Sequence, residues 1–218
     1  MPRSERSQAI LCYVTDRRAL GSSDDEAARA ALLQGIRGAL DAGADWVQIR
    51  EKDLEGRTLA NLVRAAMETS PGRRIFVNDR LDVAIAARAA GVHLGGESLP
   101  VEEVVKWCRA GHVPADFLVG RSCHSMEEAV AAQGGGADYL FFGPVFATPS
   151  KAEYGPPQGI EKLKEACSRV RIPVLAIGGI TVENAAECCL AGAAGVAAIR
   201  LFQESADVAA VVARLRKV

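Results

Sequence analysis

The stretch that decides the fold is DAGADWVQI at residues 41–49, in which a small glycine-alanine turn separates a helical segment from a short apolar run. The same order recurs at residues 89–94, 134–142 and 191–199. A glycine just past a helix fits the left-handed conformation that ends it, and a strand reached through a helix runs parallel to the strand before it. The repetition therefore predicts a series of βα units.

Short apolar runs add the remaining strands and bring the predicted number to eight. The predicted strands lie at 10–14, 46–49, 75–77, 92–94, 117–120, 139–142, 173–177 and 196–199, and the predicted helices at 26–41, 56–69, 80–88, 100–109, 125–133, 160–169, 181–190 and 205–216. This pattern predicts an α/β protein, a single (β/α)8 TIM barrel over residues 1–218. The alternative is a doubly wound open sheet, although no Gly-x-Gly-x-x-Gly turn follows the first strand.

Composition narrows the function classes. Apolar residues make up 49% of the chain and the formal net charge is −1, which favours a large core and gives no electrostatic basis for binding nucleic acid. The polar start and the strand-length apolar run after it predict no signal peptide, no membrane span and a cytoplasmic location. Because the strands are buried on both faces, the sequence pattern does not separate an apolar subunit interface from the core. A homo-oligomer is therefore an open alternative.

The six cysteines lack the spacing of a metal site and are predicted to be reduced thiols. Cys123 is weighed as a nucleophile because it follows a predicted strand, although packing is the favoured interpretation. Among the histidines, His93 alternates with apolar residues in a strand and is predicted to pack with its nitrogens satisfied, and His112 lies in a loop before a strand. His124 follows a strand end, where an imidazole can move protons near neutral pH.

Polar clusters follow three of the predicted strands: Gln48 to Lys52, Asn78-Asp79, and Thr148 to Lys151. The loops after the strands of such a barrel form its active site, so these clusters predict one shared site. The loops combine cations with carboxylates, which suits a phosphorylated small molecule accompanied by a metal ion. The charged residues after the strands are Arg50, Lys52, Arg121, Lys151 and Arg200 against Asp16, Glu51, Asp79 and Glu97.

Each cluster also has a purely structural interpretation. Arg50 and Glu51 can pair with neighbours across the barrel mouth, and Asp79 can cap the helix that follows it. Gly178 and Gly179 can form only a tight turn, although the loop after the seventh strand often offers backbone N–H groups to phosphate. The gathering of several clusters at strand ends favours the functional interpretation, with Asp79 as a Mg2+ ligand.

The chain resembles the thiamine phosphate synthase family and its relatives, the TenI-type thiazole tautomerases, over nearly its whole length. The matching segments are YVTD (13–16), VQIREK (47–52), VNDR (77–80), GVHLG (91–95), GRSCHS (120–125), FGPVFATPSK (142–151), PPQG (156–159) and AIGGI (176–180). The resemblance implies a Mg2+-dependent transferase that joins 4-amino-5-hydroxymethyl-2-methylpyrimidine diphosphate to a thiazole phosphate. Diphosphate leaves and thiamine phosphate forms.

The resemblance also implies residue roles. The expected catalytic residues are Arg50, Lys52, Lys151 and His124, and the expected Mg2+ ligands are Asp79, Glu97 and Ser98. The thiazole phosphate is expected at Thr148, Ser150 and Gly179, with Ser150 in place of the usual threonine. The full expected substrate-binding set is Gln48, Arg50, Lys52, Asn78, Ser122, Thr148, Ser150, Lys151, Gly178, Gly179, Ile199 and Arg200.

Two further positions depart from the family pattern. Ser98 stands where a second Mg2+-binding aspartate is expected, so that Glu97 becomes a candidate substitute, and Arg200 stands where a serine is expected. The loss of that aspartate also occurs among the tautomerases, which would use His124 as general acid/base. A sensor of thiamine precursors without catalysis and an isomerase of another phosphate-binding barrel family are the further alternatives.

Overall fold

Eight parallel strands close into a barrel within the residues that this computed structural model describes, which are 8–21, 24–148 and 156–217. Parallel pairing of the first strand with the last closes the ring, with Ile10 opposite Gly195. The predicted (β/α)8 barrel is confirmed, and the open-sheet alternative is wrong. In sequence order the strands are β1 (Ile10–Val14), β2 (Trp46–Ile49), β3 (Arg74–Asn78), β4 (Gly91–Leu94), β5 (Leu118–Cys123), β6 (Tyr139–Phe142), β7 (Val174–Ile177) and β8 (Gly195–Ala198).

The helices surround the barrel as α1 (Asp25–Asp41), α2 (Gly56–Thr69), α3 (Leu81–Ala87), α4 (Val101–Trp107), α5 (Met126–Gly134), α6 (Gly159–Arg169), α7 (Ala185–Leu190), α8 (Arg200–Gln203) and α9 (Val208–Leu215). The predicted helix 205–216 is therefore shorter and is preceded by α8. A 3-10 turn at Arg17–Leu20 and a π turn at Cys108–His112 were not predicted. Within the described ranges, no helix combines the length and apolar character needed to cross a membrane.

Strand β5 continues three residues past its predicted end at Gly120. Its backbone pairs with β6 as far as Cys123, and Arg121 lies opposite Leu94 of β4. Polar Arg121 and Ser122 end the apolar run on which the prediction depended, but the ladder of backbone hydrogen bonds does not require apolar side chains. These two residues therefore belong to the strand at the barrel mouth and not to a loop.

The glycine turns of the repeat are confirmed at three of their four occurrences. Gly43, Gly136 and Gly192 follow α1, α5 and α7 with φ values of 109°, 90° and 105°. In the remaining occurrence Arg88 takes the left-handed conformation after α3, with φ 58°. Gly91 instead lies inside β4, where a Cβ would approach the carbonyl oxygen of Leu118 to 2.1 Å.

Aspartates of the same turns secure the end of the barrel opposite the predicted site. Asp45 accepts a hydrogen bond from the backbone N–H of Leu11 at 2.8 Å, and Asp138 accepts one from Val119 N–H at 2.7 Å. Arg216 lies 2.8 Å from Asp45. The loops before the strands thus stabilise the fold, as expected for that face of a barrel.

Aromatic rings fill the barrel interior. The Trp46 and Tyr139 ring centroids are 4.9 Å apart, and those of Phe76 and Tyr139 are 5.4 Å apart. The Tyr139 ring occupies the space that a side chain at Gly120 would need, since a Cβ there would lie 2.2 Å from Tyr139 Cζ. This packed layer fills the barrel interior, and the site expected at the carboxyl ends of the strands lies above it. The buried residues of this interior are Cys12, Val14, Trp46, Phe76, Tyr139, Phe141, Leu175 and Ala197.

Candidate active site

Side chains from neighbouring strands meet at the carboxyl mouth in one hydrogen-bonded series. Gln48, at the end of β2 and 2% exposed, donates from Nε2 to Oδ1 of Asn78 at 2.7 Å. Asn78, at the end of β3, donates from Nδ2 to Oδ2 of Asp79 at 2.6 Å. Parallel strands in register bring these positions together although 30 residues separate the first pair. The first two sequence clusters therefore form one surface.

Asp79 continues this series to the loop after β4. Its Oδ1 accepts a hydrogen bond from the backbone N–H of Gly95 at 2.8 Å and another from the hydroxyl of Ser98. Helix α3 has Arg80 as its N-cap residue, so the interpretation of Asp79 as a helix cap is wrong. Asp79 is exposed and has a left-handed φ of 59°, which turns its backbone sharply at the end of the strand.

The oxygen atoms available for a metal ion are few. Ser98 faces Asp79 directly, whereas Glu97 is an exposed neighbour of Ser98. Within the described ranges, no three His, Cys, Asp or Glu side chains converge as a metal site. From these residues a cation would thus receive the Asp79 carboxylate and the Ser98 hydroxyl, with its other ligands coming from water or substrate.

Arg121 reaches from β5 to the loop after β4. Its guanidinium donates hydrogen bonds to the carbonyl oxygens of Gly95 and Gly96, the latter at 3.2 Å. The residue counted among the cations of the mouth therefore holds the loop that carries Ser98. This contact links β5 to the position of the candidate metal ligands.

His93 connects the barrel interior with the mouth. Its Nε2 lies 2.9 Å from the hydroxyl of Ser122 and its Nδ1 lies 3.2 Å from the hydroxyl of Tyr139. Burial lowers the pKa of His93 to about 3, so the imidazole is neutral near pH 7. The prediction that its nitrogens are satisfied is confirmed. Sequence reasoning did not identify its contact with Ser122, a residue expected to bind substrate.

His124 and Cys123 follow one another but have different surroundings. The Nδ1 atom of half-buried His124 contacts the carbonyl oxygen of Gly143, so Nδ1 is the protonated donor and Nε2 is the nitrogen left for proton exchange. Cys123 is 0% exposed, and burial raises the pKa of its thiol to about 12. A thiol held in its neutral form is a poor nucleophile, which supports the packing interpretation of Cys123.

Arg50 and Lys52 differ from their neighbour Glu51. Arg50 is half-buried and Lys52 is exposed, whereas Glu51 is 4% exposed and forms an ion pair with Arg17 at 3.3 Å. The structural interpretation of Glu51, pairing with its neighbours, is confirmed, because its carboxylate is enclosed by Arg17 and Thr15. Arg17 was missed, and its position two residues after Thr15 at the end of β1 was the available signal.

The loops after β6 and β7 pack on each other. Phe146 N–H donates to the carbonyl oxygen of Gly178 at 3.0 Å. Gly178 and Gly179 have φ values of 95° and 66°, and a Cβ at Gly179 would lie 2.6 Å from the carbonyl oxygen of Ala147. This close approach requires glycine and brings the turn next to half-buried Thr148.

The remaining expected site residues lie either at the ends of other strands or outside the described residues. Half-buried Ile199 follows β8, and exposed Arg200 begins α8. Ser150 and Lys151 lie outside the described residues, so their expected roles stay predictions. The described part brings together Gln48, Asn78, Asp79 and Ser98 by direct contact, and it places Arg50, Lys52, Ser122, His124, Thr148, Gly178, Gly179, Ile199 and Arg200 at the ends of the surrounding strands.

The fold and the mouth define a class, the (β/α)8 barrels whose functional side chains gather at the carboxyl ends of the strands. Within that class the chain belongs to the thiamine monophosphate synthase family, whose family model matches residues 12–202. The predicted family is therefore confirmed.

Individual relatives agree with this placement. The chain is 47% identical over 180 residues to a thiamine-phosphate synthase of Methanoculleus marisnigri, covering 82% of this chain and 83% of that protein. It is 43% identical over 188 residues to a thiamine-phosphate synthase of Moorella thermoacetica, covering 85% and 87%.

A solved structure, the thiamine phosphate pyrophosphorylase of Pyrococcus furiosus, superposes with a TM-score of 0.81 at 34% identity and covers 96% of this chain and 94% of that one. The barrel itself is more widely shared. A 3-hexulose-6-phosphate synthase superposes with a TM-score of 0.68 at 19% identity, covering 96% of each chain, which supports the fold alone.

Proposed function

We propose that this chain is a thiamine-phosphate synthase, a transferase that joins 4-amino-5-hydroxymethyl-2-methylpyrimidine diphosphate to a thiazole phosphate. The observation that carries the proposal is the series from Gln48 through Asn78 and Asp79 to Ser98, which lies beside Arg50 and Lys52. The series joins two amides, a carboxylate and a hydroxyl, and the cations Arg50 and Lys52 follow Gln48 directly in the chain. A thiazole tautomerase has no diphosphate to bind, so this combination favours the synthase.

The amides of Gln48 and Asn78 suit the pyrimidine. Because Gln48 donates through Nε2 to Asn78, its Oε1 oxygen is left to accept a hydrogen bond from the amino group of the ring. That contact orients the methylene carbon toward the second substrate. Holding two reactants in place removes much of the entropic barrier to their reaction.

The cations suit the leaving group. When the bond between methylene carbon and diphosphate breaks, negative charge grows on diphosphate and the ring amino group stabilises the methylene cation. Arg50 and Lys52, with Lys151, neutralise the growing negative charge, and the thiazole nitrogen then attacks the methylene carbon. No covalent nucleophile takes part, which agrees with the buried, neutral thiol of Cys123.

We include Mg2+ in the proposal because the oxygen atoms present fit it. Mg2+ is commonly held by one or two carboxylates together with substrate phosphates and water. Asp79 supplies a carboxylate, Ser98 supplies a hydroxyl beside it, and Glu97 is a neighbouring carboxylate. Bound there, the ion would neutralise charge on the leaving diphosphate.

The thiazole phosphate is assigned to the other side of the mouth. Thr148 has a hydroxyl group, and Gly178 and Gly179 offer backbone N–H groups after β7, where barrels often bind phosphate. Ser150 is assigned to the phosphate by the family resemblance alone. Ser122, Ile199 and Arg200 line the neighbouring strand ends. Phosphate binding here rests on the family match and on the close packing of the two loops.

The test is a direct assay with both substrates, in which thiamine phosphate and diphosphate are quantified with and without Mg2+. We expect Mg2+-dependent formation of both products, and a loss of about 100-fold or more in turnover for Arg50→Ala. Arg169→Ala is the matched control, because Arg169 is exposed at the end of α6 that lies away from the mouth. We expect it to keep full turnover.

Absence of product from folded protein would contradict the proposal. Binding of the thiazole phosphate with proton exchange on the ring would then indicate the tautomerase, and binding without any turnover would indicate the sensor. A cytoplasmic location, the absence of nucleic-acid binding and a homo-oligomeric state stay predictions.

A further inference from the structure

Three buried polar residues touch one another beside the mouth. Thr15, Arg17 and Glu51 have exposed fractions of 0%, 5% and 4%. Burying a charged group is costly unless it is paired and hydrogen-bonded. Hydrophobic packing does not explain why an arginine is buried in the turn after β1, but its ion pairs and hydrogen bonds do.

The Glu51 carboxylate is the centre of these contacts. It accepts hydrogen bonds from the Thr15 hydroxyl at 2.6 Å, from the backbone N–H of Arg17 at 3.1 Å and from the Arg17 guanidinium at 3.3 Å. The Thr15 hydroxyl oxygen in turn accepts a bond from the backbone N–H of Arg50 at 3.0 Å. Arg17 also donates to both carboxylate oxygens of Asp53, at 2.6 and 2.7 Å. Segment 50–53 is thus held at three points, at residues 50, 51 and 53.

The side chains of this segment differ in exposure. Ile49 and Glu51 are buried, whereas Arg50 is half-buried and Lys52 is exposed. The chain turns directly after Glu51, where the backbone N–H of Leu54 donates to the carbonyl oxygen of Glu51 at 3.3 Å. Anchoring Glu51 and Asp53 therefore fixes the backbone of this turn, and with it the point from which the side chains of Arg50 and Lys52 project.

We propose that Arg17 is a positioning residue, which keeps Arg50 and Lys52 directed at the phosphates of the ligand by holding Glu51 and Asp53. This inference rests on the proposed function, in which Arg50 and Lys52 bind the diphosphate. Fixing the backbone that carries these long side chains before the ligand binds reduces the conformational entropy lost on binding.

The contacts of Arg17 require the shape of a guanidinium. Its two terminal nitrogens reach Glu51 and Asp53, and Nη2 also lies 3.2 Å from Asp25. A lysine keeps the charge but lacks the planar fork that donates to two carboxylate oxygens at once. The charge-conserving change Arg17→Lys therefore tests the geometry while leaving the sum of charges unaltered.

The experiment measures binding of inorganic pyrophosphate with Mg2+ by titration calorimetry. We expect Arg17→Lys to weaken the affinity about tenfold, as outer-shell substitutions at binding sites commonly do. In a background lacking both positioned cations, Arg50→Ala with Lys52→Ala, the same change should weaken it by less than about twofold, because coupled residues are not additive.

Two controls separate positioning from general stability. Arg216→Lys alters another partly buried arginine, which pairs with Asp45 at the opposite end of the barrel, and it should leave the pyrophosphate affinity unchanged. Thr15→Val removes the hydroxyl between Glu51 and Arg50 and should weaken pyrophosphate binding. Thr15→Ser keeps a hydroxyl and should bind pyrophosphate as the unaltered protein does. The melting temperature of every variant identifies any that fails to fold, and the Thr15 pair then carries the test.

The outcomes are distinct. Unchanged affinity in Arg17→Lys, together with weakened affinity in Arg50→Ala, overturns the positioning role and leaves the proposed function intact. An equal loss in both backgrounds, or an equal loss in Arg216→Lys, shows that Arg17 acts only on the fold. No pyrophosphate binding by the unaltered protein, or no effect of removing Arg50 and Lys52, overturns the proposed site and this inference with it.

Discussion

Replacing buried His93 by glutamine should change how stability depends on pH. His93 is 1% exposed, and burial lowers its pKa from the ordinary 6.5 to about 3. Glutamine does not titrate and can still form a hydrogen bond with Ser122. The comparison therefore isolates the free energy of protonating one imidazole.

The sign and size follow from proton binding. Between pH 7 and pH 5 the folded chain keeps His93 neutral, whereas the unfolded chain protonates it. The unfolded state binds the additional proton, so the free energy of unfolding decreases as the pH falls. Each pH unit below the unfolded pKa contributes about 1.36 kcal/mol, which gives ~2 kcal/mol at pH 5. This figure does not depend on the exact folded pKa, provided that it stays well below 5.

The assay is urea unfolding at pH 7, 6 and 5, extrapolated linearly to zero urea. From pH 7 to pH 5 the unaltered protein should lose ~2 kcal/mol more stability than His93→Gln does. His112→Gln, at an exposed histidine, is the control for replacing a histidine by glutamine as such. Parallel pH profiles for the unaltered protein and His93→Gln would refute the reasoning, since the buried imidazole would then take up its proton without unfolding.

Three further predictions concern the site and the core. Lys151→Ala should lower turnover by about 100-fold or more while shifting the melting temperature little, as expected of a residue that stabilises charge in the transition state; unchanged turnover would remove Lys151 from the site. Ser98→Asp should lower the Mg2+ concentration needed for half-maximal activity about tenfold and increase the thermal stabilisation by Mg2+; an unchanged response in both would place the ion elsewhere. Gly120→Ala should cost about 3 kcal/mol or more, because its Cβ would meet the Tyr139 ring at 2.2 Å. Gly38→Ala, in an open part of α1, is its control, and equal melting temperatures for the two variants would contradict the clash.

Local pattern was sufficient for much of the fold. The glycine turns and the apolar runs identified all eight strands of the described barrel, because strand and helix periodicities are written in neighbouring residues. The strand ends at Gln48 and Asn78 followed from the same pattern. The end of β5 did not, because backbone pairing carries Arg121 and Ser122 into the strand although their side chains are polar.

Local sequence pattern predicted the composition of the site less well than it predicted the fold. Asp79 could also have been a helix cap, and the structure removed that interpretation, because Arg80 is the N-cap residue of α3 and Asp79 contacts Gly95 and Ser98 instead. Glu51 was grouped with Arg50 and Lys52, since all three follow the same strand. Its burial depends on Arg17, which lies 34 residues earlier in the chain. No local pattern records such a pairing.

The sequence by itself determined the barrel, the end of it at which the polar clusters gather and the family to which the chain belongs. These properties follow from hydrophobic periodicity, from glycine caps and from motifs in a constant order. Only the tertiary structure decided which polar residues after the strands pair with one another. That choice depends on the register between strands, which brings Thr15 onto Glu51 and His93 onto Ser122 across 36 and 29 residues of chain. The physical reason is that burial and hydrogen bonding act between residues close in space, whereas sequence patterns report only residues close along the chain.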